Sequence, residues 1–276
     1  MNREENIFQR LQEHYKEALT LFPEDRIVGI FLQGSQNYEL DIEGSDVDTK
    51  LIVVPTLEDI IFNKPPVSTT YVRANNEHID LKDIRLMFQT FRKQNLNFVE
   101  ILFTKFKIIN PIYEEFWNQL IEQNEMIARY DEYKAVKTMK GIAMEKYHAM
   151  EHKYPSKLAI IEKYGYDCKQ LHHLIRVEEY LERYIAGEKY ADCLISKMPE
   201  YLKAIKQNYY NLENARLQAK ASIEYIIFVV DKYCDEHSQT QNPKVDELLD
   251  SAQEQIMKKA IINSLEKEND DEILCD

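Results

Sequence analysis

Residues 27–54 read IVGIFLQGSQNYELDIEGSDVDTKLIVV, and this stretch decides the fold of the amino-terminal region. Its first apolar run, IVGIFLQG (27–34), stops at a glycine and predicts a buried strand. A second apolar run, DVDTKLIVVP (46–55), predicts another strand that ends at Pro55. The two predicted strands are joined by a polar segment over residues 35–45.

Two aspartates stand at the start of the second predicted strand. Alternate residues of a strand point to the same face, so Asp46 and Asp48 are expected to project together. At ~4 Å and an effective dielectric of about 20, two carboxylates repel each other by about 4 kcal/mol. A divalent cation removes this repulsion, and magnesium prefers one or two carboxylates together with substrate phosphates. The pair therefore predicts a magnesium site, with the competing interpretation of a solvent-facing acidic edge.

Three further residues of the same stretch are candidates for binding substrate. Gly34 and Ser35 follow the first predicted strand, where a glycine lets the backbone approach a phosphate and the serine hydroxyl adds a donor. Lys50 shares the predicted face of the aspartates. It is either a substrate-facing cation or a neighbour that neutralises their charge, and the sequence leaves both interpretations open.

The flanking sequence predicts further elements around these two strands. An apolar stripe predicts a helix over residues 3–21 that ends before Pro23. Residues 71–83 predict a hairpin that turns at Asn75-Asn76. The remaining predicted elements are a short helix capped by Thr56, a helix capped by Asp83, and an edge strand at 105–110.

From Pro111 onward the apolar pattern is helical throughout. We therefore predict an α+β fold, in which a small mixed sheet is followed by an all-helical domain. The predicted divisions are a catalytic domain at 1–110, a helical domain at 111–267 that completes the nucleotide site, and a solvated acidic tail at 268–276.

The quoted motifs resemble those of a known superfamily. Gly34-Ser35, a ten-residue spacer and then Asp46-x-Asp48 on a strand are similar to the DNA polymerase beta superfamily of nucleotidyltransferases. The chain also resembles a bacterial, RlaP-like group of predicted nucleotidyltransferases. The motifs that carry this second resemblance are Gly34-Ser35-x-x-Tyr38-x-Leu40, Ser45-Asp46-x-Asp48, a segment from Asn95 or Asn97 through Glu100 to Leu102, and Tyr166-Asp167-x-Lys169-x-x-x-His173-x-x-Arg176.

The resemblance implies a chemistry for these residues. The superfamily has a third carboxylate on a later strand, and Asp80 is the best match; Asp83 competes but suits a helix cap better. Asp46, Asp48 and Asp80 would hold two magnesium ions, or manganese in their place. Asp80 would also be the general base for the acceptor hydroxyl.

A cluster of basic side chains lies on the predicted helix after Asp167. Lys169, His172, His173 and Arg176 have the spacing that places side chains on one helical face. Lys169, His173 and Arg176 are candidates for binding the phosphates or ribose of a nucleotide. The competing interpretation is a solvated cationic face that pairs with nearby glutamates.

The overall composition limits the partners. The formal net charge of −13 disfavours extended non-specific binding of nucleic acid. The 4 cysteines lack zinc-ligand spacing, and the sequence has neither a signal peptide nor an 18-residue apolar stretch. We therefore expect a cytoplasmic protein that does not bind membranes.

Together these patterns predict a nucleotidyltransferase that uses a nucleoside triphosphate and an acceptor hydroxyl of unknown identity. The alternative prediction is a non-catalytic nucleotide-binding protein, or a toxin–antitoxin-type interaction protein, on the same fold.

Overall fold

The computed structural model describes the backbone of residues 2–273 and the side chains of residues 2–266. The chain forms two compact units, here called the sheet unit and the helical unit. The sheet unit contains residues 1–37, 44–130 and 242–276, and the helical unit contains residues 38–43 and 131–241.

A five-stranded mixed sheet forms the centre of the sheet unit. Its strands are β1 (Ile27–Gln33), β2 (Asp48–Val53), β3 (Ser68–Val72), β4 (His78–Asp83) and β5 (Lys107–Ile109). Their spatial order is β3-β4-β2-β1-β5. The β2–β4 pair is parallel, whereas the β1–β2, β1–β5 and β3–β4 pairs are antiparallel. The predicted α+β class with a small mixed sheet is thus confirmed, as is β5 at an edge.

Helix α1 (Arg3–Leu21) covers one face of this sheet. The Asn2 side chain accepts the Glu5 backbone N–H, and the Glu5 carboxylate accepts that of Asn2, which forms a capping box. Ile7 and Leu11 pack into the apolar cluster beneath the strands. The helix ends at the predicted place, just before Pro23.

The opposite face of the sheet is covered by later helices of the same unit. On this face the Phe31 ring lies 4.8 Å from the ring of Trp117. Asp83 caps α3 by accepting the Arg85 backbone N–H, as predicted. The other helices of the unit are α2 (Leu57–Ile61), α3 (Ile84–Arg92), α4 (Leu96–Val99), α5 (Glu114–Glu122), α6 (Asn124–Ala128) and α13 (Pro243–Ile273).

The helical unit has no strand among its described residues, and α9 is its most deeply buried helix. One face of α9 buries Leu171, Leu174 and Leu181. The helices of this unit are α7 (Glu132–Ala149), α8 (Leu158–Tyr164), α9 (Cys168–Ile185), α10 (Tyr190–Leu194), α11 (Pro199–Lys206) and α12 (Leu212–Glu236).

The observed division of the chain differs from the predicted boundary at residue 110. The sheet unit continues to Tyr130 and takes up α13 from the far end of the chain. The physical reason is a polar cluster on α13: Arg92 Nε lies 3.0 Å from Asp246 Oδ1, and the Tyr130 hydroxyl donates to the same carboxylate. The predicted tail at 268–276 is helical as far as Ile273, whereas residues 274–276 lie outside the described residues.

Candidate functional site

Three segments that carry candidate residues meet at one edge of the sheet. Because β1 and β2 are antiparallel, the end of β1 lies beside the start of β2, with Gln33 opposite Asp48. Because β2 and β4 are parallel, both begin at this edge, and Lys50 lies opposite Asp80. The pairing therefore brings Gly34-Ser35, the start of β2 and the start of β4 to the same place.

The Gly34-Ser35 turn is held by its neighbours. Gly34 has a φ of +83°, a left-handed conformation that glycine adopts without strain. The Asn37 backbone N–H donates to the Gly34 carbonyl at 3.0 Å, and the Asn37 side chain donates to the Leu32 carbonyl at 2.8 Å. Apart from Gly34 and its two chain neighbours, no atom of the described residues lies within 4 Å of the position that a Gly34 Cβ would take, so the space beside this backbone is open.

The two aspartates of the Asp-x-Asp motif differ in their surroundings. Strand β2 begins at Asp48, so the prediction that the strand starts at Asp46 is wrong by two residues, and Asp46 lies exposed just before the strand. Asp48 is partly buried, and its Oδ1 accepts the His78 backbone N–H at 2.9 Å. The Nδ1 atom of the same histidine lies 3.1 Å from that oxygen.

Lys50 forms an ion pair with the predicted third carboxylate. Its Nζ donates to Asp80 Oδ2 at 3.0 Å and to Gln33 Oε1 at 2.5 Å. The Lys50 side chain is buried, whereas that of Asp80 is about a quarter exposed. Burial lowers the pKa of Lys50, and the charge and hydrogen bond of Asp80 offset part of that effect. Lys50 thus neutralises Asp80 in this structure.

A buried carboxylate holds the backbone beside the aspartates. Glu77 is fully buried, and its Oε1 accepts the Val47 backbone N–H at 2.9 Å. Because Val47 lies between Asp46 and Asp48, this bond positions both of them. The other partners of the Glu77 carboxylate are Arg10, His14 (3.0 Å), Arg73 (2.9 Å) and Asn75 (2.7 Å).

His14 links the Glu77 carboxylate to β2. Its Nε2 lies 3.0 Å from Glu77 Oε2, and its Nδ1 lies 2.9 Å from the Thr49 hydroxyl oxygen. A neutral ring satisfies both contacts if Nε2–H donates to the carboxylate and Nδ1 accepts the hydroxyl proton. Burial, assisted by the charges of Arg73 and Arg10, lowers the pKa of His14 to about 4, so the ring is neutral at pH 7.

The predicted basic face lies on α9 of the helical unit. His172 is buried, and its Nδ1 lies 2.8 Å from the Leu202 carbonyl oxygen, so it serves the packing of α11 on α9. Burial lowers the pKa of His173 well below its usual range, so this residue is also neutral at pH 7. Lys169 and Arg176 therefore provide the positive charge of the face.

Arg176 stacks on Tyr38. Its guanidinium carbon lies 3.6 Å from the centre of the Tyr38 ring, and both residues belong to the helical unit. The Arg176 side chain is partly buried. Tyr38 is buried, so its ring is part of the packing of this unit.

The described residues contain no group of three or more histidine, cysteine, aspartate or glutamate side chains placed to hold a metal ion. The Asp80 carboxylate is bound to the Lys50 ammonium group. The metal-binding roles of Asp46, Asp48 and Asp80 stay predictions.

Sequence reasoning missed several side chains of this sheet face. His78 and Lys82 alternate with Asp80 along β4 and share its face, so the period of a strand was a sufficient signal for both. Gln33 follows from the antiparallel pairing of β1 with β2. Phe98 lies on α4 and places its ring over Lys50, a contact that no local pattern in the sequence indicates.

Comparisons with known proteins add little to this description. No protein-family model matches the chain, and no curated protein matches it. The chain is similar to a solved structure of a nucleotidyltransferase-like protein from Exiguobacterium sibiricum 255-15. The TM-score is 0.31 at 14% identity, over 80% of this chain and 74% of that one. The family prediction and the RlaP-like grouping stay predictions.

The described helices are too short or too polar for a membrane span. None of them has a stretch long and apolar enough to cross a membrane.

Proposed function

We propose that this protein is a metal-dependent nucleotidyltransferase that transfers a nucleoside monophosphate from a nucleoside triphosphate to a hydroxyl acceptor. The observation that supports this proposal best is the edge of the sheet where Gly34-Ser35, Asp48 and Asp80 come together. A carboxylate pair beside an open glycine turn offers both metal ligands and room for phosphates.

The residues present suit magnesium held by few protein ligands. Asp46 is exposed and Asp48 is partly exposed, so both carboxylates are accessible at the edge of the sheet. Magnesium keeps several waters and takes one or two carboxylates together with substrate phosphates. A bound magnesium or manganese ion would neutralise negative charge on the phosphates and lower the pKa of the acceptor hydroxyl.

The proposed reaction forms one phosphorus–oxygen bond and breaks another. The acceptor hydroxyl oxygen attacks the α-phosphorus, and the bond from that phosphorus to the bridging oxygen of the β-phosphate breaks. Pyrophosphate leaves with the bonding electron pair, and the hydroxyl proton passes to a carboxylate, for which we propose Asp80. Asp80 Oδ2 accepts the Lys50 ammonium group at 3.0 Å, and the Asp80 carboxylate would also accept a hydrogen bond from the hydroxyl and take its proton as the new bond forms.

Within the helical unit, we propose Lys169 and Arg176 as phosphate-binding residues. Lys169 and Arg176 lie seven residues apart on α9, about 10 Å along the helix axis. That distance matches a ribose with its triphosphate. Neutral His173 would donate a hydrogen bond to a phosphate or a ribose hydroxyl.

A labelling experiment tests the proposal. The full chain is incubated with each labelled nucleoside triphosphate, with magnesium or manganese, and with a cell extract. We expect label to appear on an RNA, a protein or a small molecule, and Asp48→Asn to abolish this transfer. No transfer from any of the four nucleotides, with either metal, would refute the proposal.

The Lys50–Asp80 ion pair favours a second candidate, a non-catalytic nucleotide-binding or toxin–antitoxin-type protein. The Lys50 ammonium group already balances the charge of the Asp80 carboxylate, so Asp80 would attract a metal ion less strongly. Binding of nucleotide without transfer, in wild type and Lys50→Met alike, would support this alternative. Transfer by the wild type would exclude it.

A further inference from the structure

Lys82 is a cation on the face of the sheet that carries Asp80. The two residues are separated by one position on β4, so their side chains project to the same side. The intervening residue, Leu81, is fully buried in the apolar cluster on the other side of the sheet. Lys82 is partly buried and is therefore reachable from solvent.

The Lys82 ammonium group rests on an aromatic ring that it shares with Lys50. Its Nζ lies 4.2 Å from the centre of the Phe98 ring, and Lys50 Nζ lies 3.8 Å from the same centre. By the sum of these distances, the two nitrogens are at most about 8 Å apart. A ring that attracts cations thus holds two ammonium groups over one short stretch of the sheet face.

The charges of the two lysines are balanced differently. Lys50 is paired with Asp80 at 3.0 Å. Lys82 has no carboxylate oxygen within 4.0 Å of its Nζ among the described side chains, and the nearby Asp80 carboxylate acts on it only through space. The Lys82 Nζ lies over the Phe98 ring instead. Like charges this close repel each other, and an anion bound at Lys82 would relieve the repulsion.

We propose that the Lys82 ammonium group, which is held over the Phe98 ring, binds the terminal phosphates of the nucleoside triphosphate, the part that leaves as pyrophosphate. This inference rests on the proposed function. Lys82 lies about 7 Å further along β4 than Asp80, by the rise of a strand. Asp80 is the proposed base beside the reacting α-phosphate. A lysine about 7 Å from it would therefore contact a phosphate further along the triphosphate and not the α-phosphate itself.

Direct binding of inorganic pyrophosphate tests the site apart from any transfer reaction. Calorimetric titration is carried out on the full chain with magnesium present, for wild type, Lys82→Met and Lys82→Arg. Methionine keeps an unbranched side chain over Phe98 but removes the charge, and arginine restores a charge. Lys64→Met is the matched control, because Lys64 is exposed and already pairs with Glu58 and Asp59.

We expect Lys82→Met to weaken pyrophosphate binding by about tenfold or more, since a charged hydrogen bond is lost. Lys82→Arg should stay within about threefold of wild type, and Lys64→Met should bind as wild type does. Equal binding by wild type and Lys82→Met, or no pyrophosphate binding by the wild type, would overturn the site. Lys82-dependent binding without nucleotide transfer would uphold the site while the proposed function fails.

Discussion

Glu77 Oε1 accepts the backbone N–H of Val47 at 2.9 Å, so a fully buried carboxylate holds the residue between the two aspartates of the Asp-x-Asp motif. The same carboxylate binds cations from α1 and from the β3–β4 turn. The start of β2 is therefore anchored from several elements at once, and Asp48 is positioned by the fold before any ligand binds.

Replacing Glu77 by glutamine should destabilise the protein strongly. The variant keeps the shape of the buried side chain but removes the negative charge that Arg10 and Arg73 share, and Arg73 keeps its second carboxylate partner, Glu17. Removing one partner of a buried ion pair costs about 3–5 kcal/mol. Urea unfolding measures this change, and Glu13→Gln on the exposed side of α1 is the control. A free energy of unfolding within about 0.5 kcal/mol of wild type would contradict this account, because surface substitutions stay in that range.

His14 should make the protein less stable in mild acid. Its folded pKa is about 4, below the ordinary value of 6.5, so the unfolded chain binds more protons between these values. The contribution of His14 is therefore complete above pH 6.5, falls as the pH drops towards 4, and is lost below that. A pKa shift of this size corresponds to a change of roughly 3 kcal/mol in the free energy of unfolding.

The measurement for His14 is the free energy of unfolding at pH 7 and at pH 4. Carboxylates titrate in the same range, so the comparison is with His14→Gln, which has no titrating ring. We expect the wild type to lose more stability than His14→Gln between the two pH values. Parallel losses would show that His14 does not change its protonation state on unfolding.

The helices and strands that were predicted correctly are those specified by residues close together in the sequence. Helix α1 has its capping box and apolar stripe within one segment, and β1 and β2 are apolar runs bounded by Gly34 and Pro55. Asp80 was indicated by the resemblance, which implies a third carboxylate on a later strand, and it lies on β4. These signals involve residues close in sequence, and so they are readable without the fold.

The features that sequence reasoning missed depend on distant residues. Arg92 and Asp246 are 154 positions apart, and their ion pair joins α13 to the sheet unit. Glu77 collects partners from α1, the start of β2 and the β3–β4 turn. The Lys50–Asp80 pair required the parallel register of β2 and β4, which neither strand specifies alone.

Gly29 should not tolerate alanine. A Cβ at this position would lie 2.9 Å from the Ile108 carbonyl oxygen and 3.1 Å from the Phe31 ring. Because Ile108 belongs to the neighbouring strand, its backbone would have to move, and overpacking of this kind costs about 1–3 kcal/mol. Gly141→Ala is a matched comparison, since nothing lies within 4 Å of its Cβ position.

Gly141 lies inside α7, so alanine there should stabilise the protein by about 0.5–1 kcal/mol. Thermal unfolding of the two variants should therefore shift in opposite directions. A melting temperature for Gly29→Ala equal to or above that of wild type would show that β1 and β5 are less closely packed than described.

Arg176 should combine a structural role with nucleotide binding. Replacing it by alanine removes the stack on Tyr38, worth about 0.5–2 kcal/mol of stability. If Arg176 also binds phosphate, nucleotide affinity should fall by about 10- to 100-fold, because a charged hydrogen bond is lost.

Tyr38→Leu separates the two roles of Arg176, since it removes the same stack and keeps the guanidinium group. Unfolding and nucleotide titration of both variants provide the measurements. A change in affinity below about twofold for Arg176→Ala would leave Arg176 with the stacking role alone.

The Lys50–Asp80 pair should show strong coupling in a double-mutant cycle. Asp80→Asn leaves a buried ammonium group without its counter-charge, which should cost about 3 kcal/mol. Lys50→Met leaves only a partly exposed carboxylate, which water solvates, and should cost less. The double variant should recover stability relative to Asp80→Asn, because methionine packs on Phe98 without a charge. Urea unfolding of the four proteins gives the coupling energy. If the losses of stability in the two single variants add up to the loss in the double variant, Asp80 does not stabilise the buried Lys50. A metal ion could then bind the Asp80 carboxylate without the cost of breaking a stabilising ion pair.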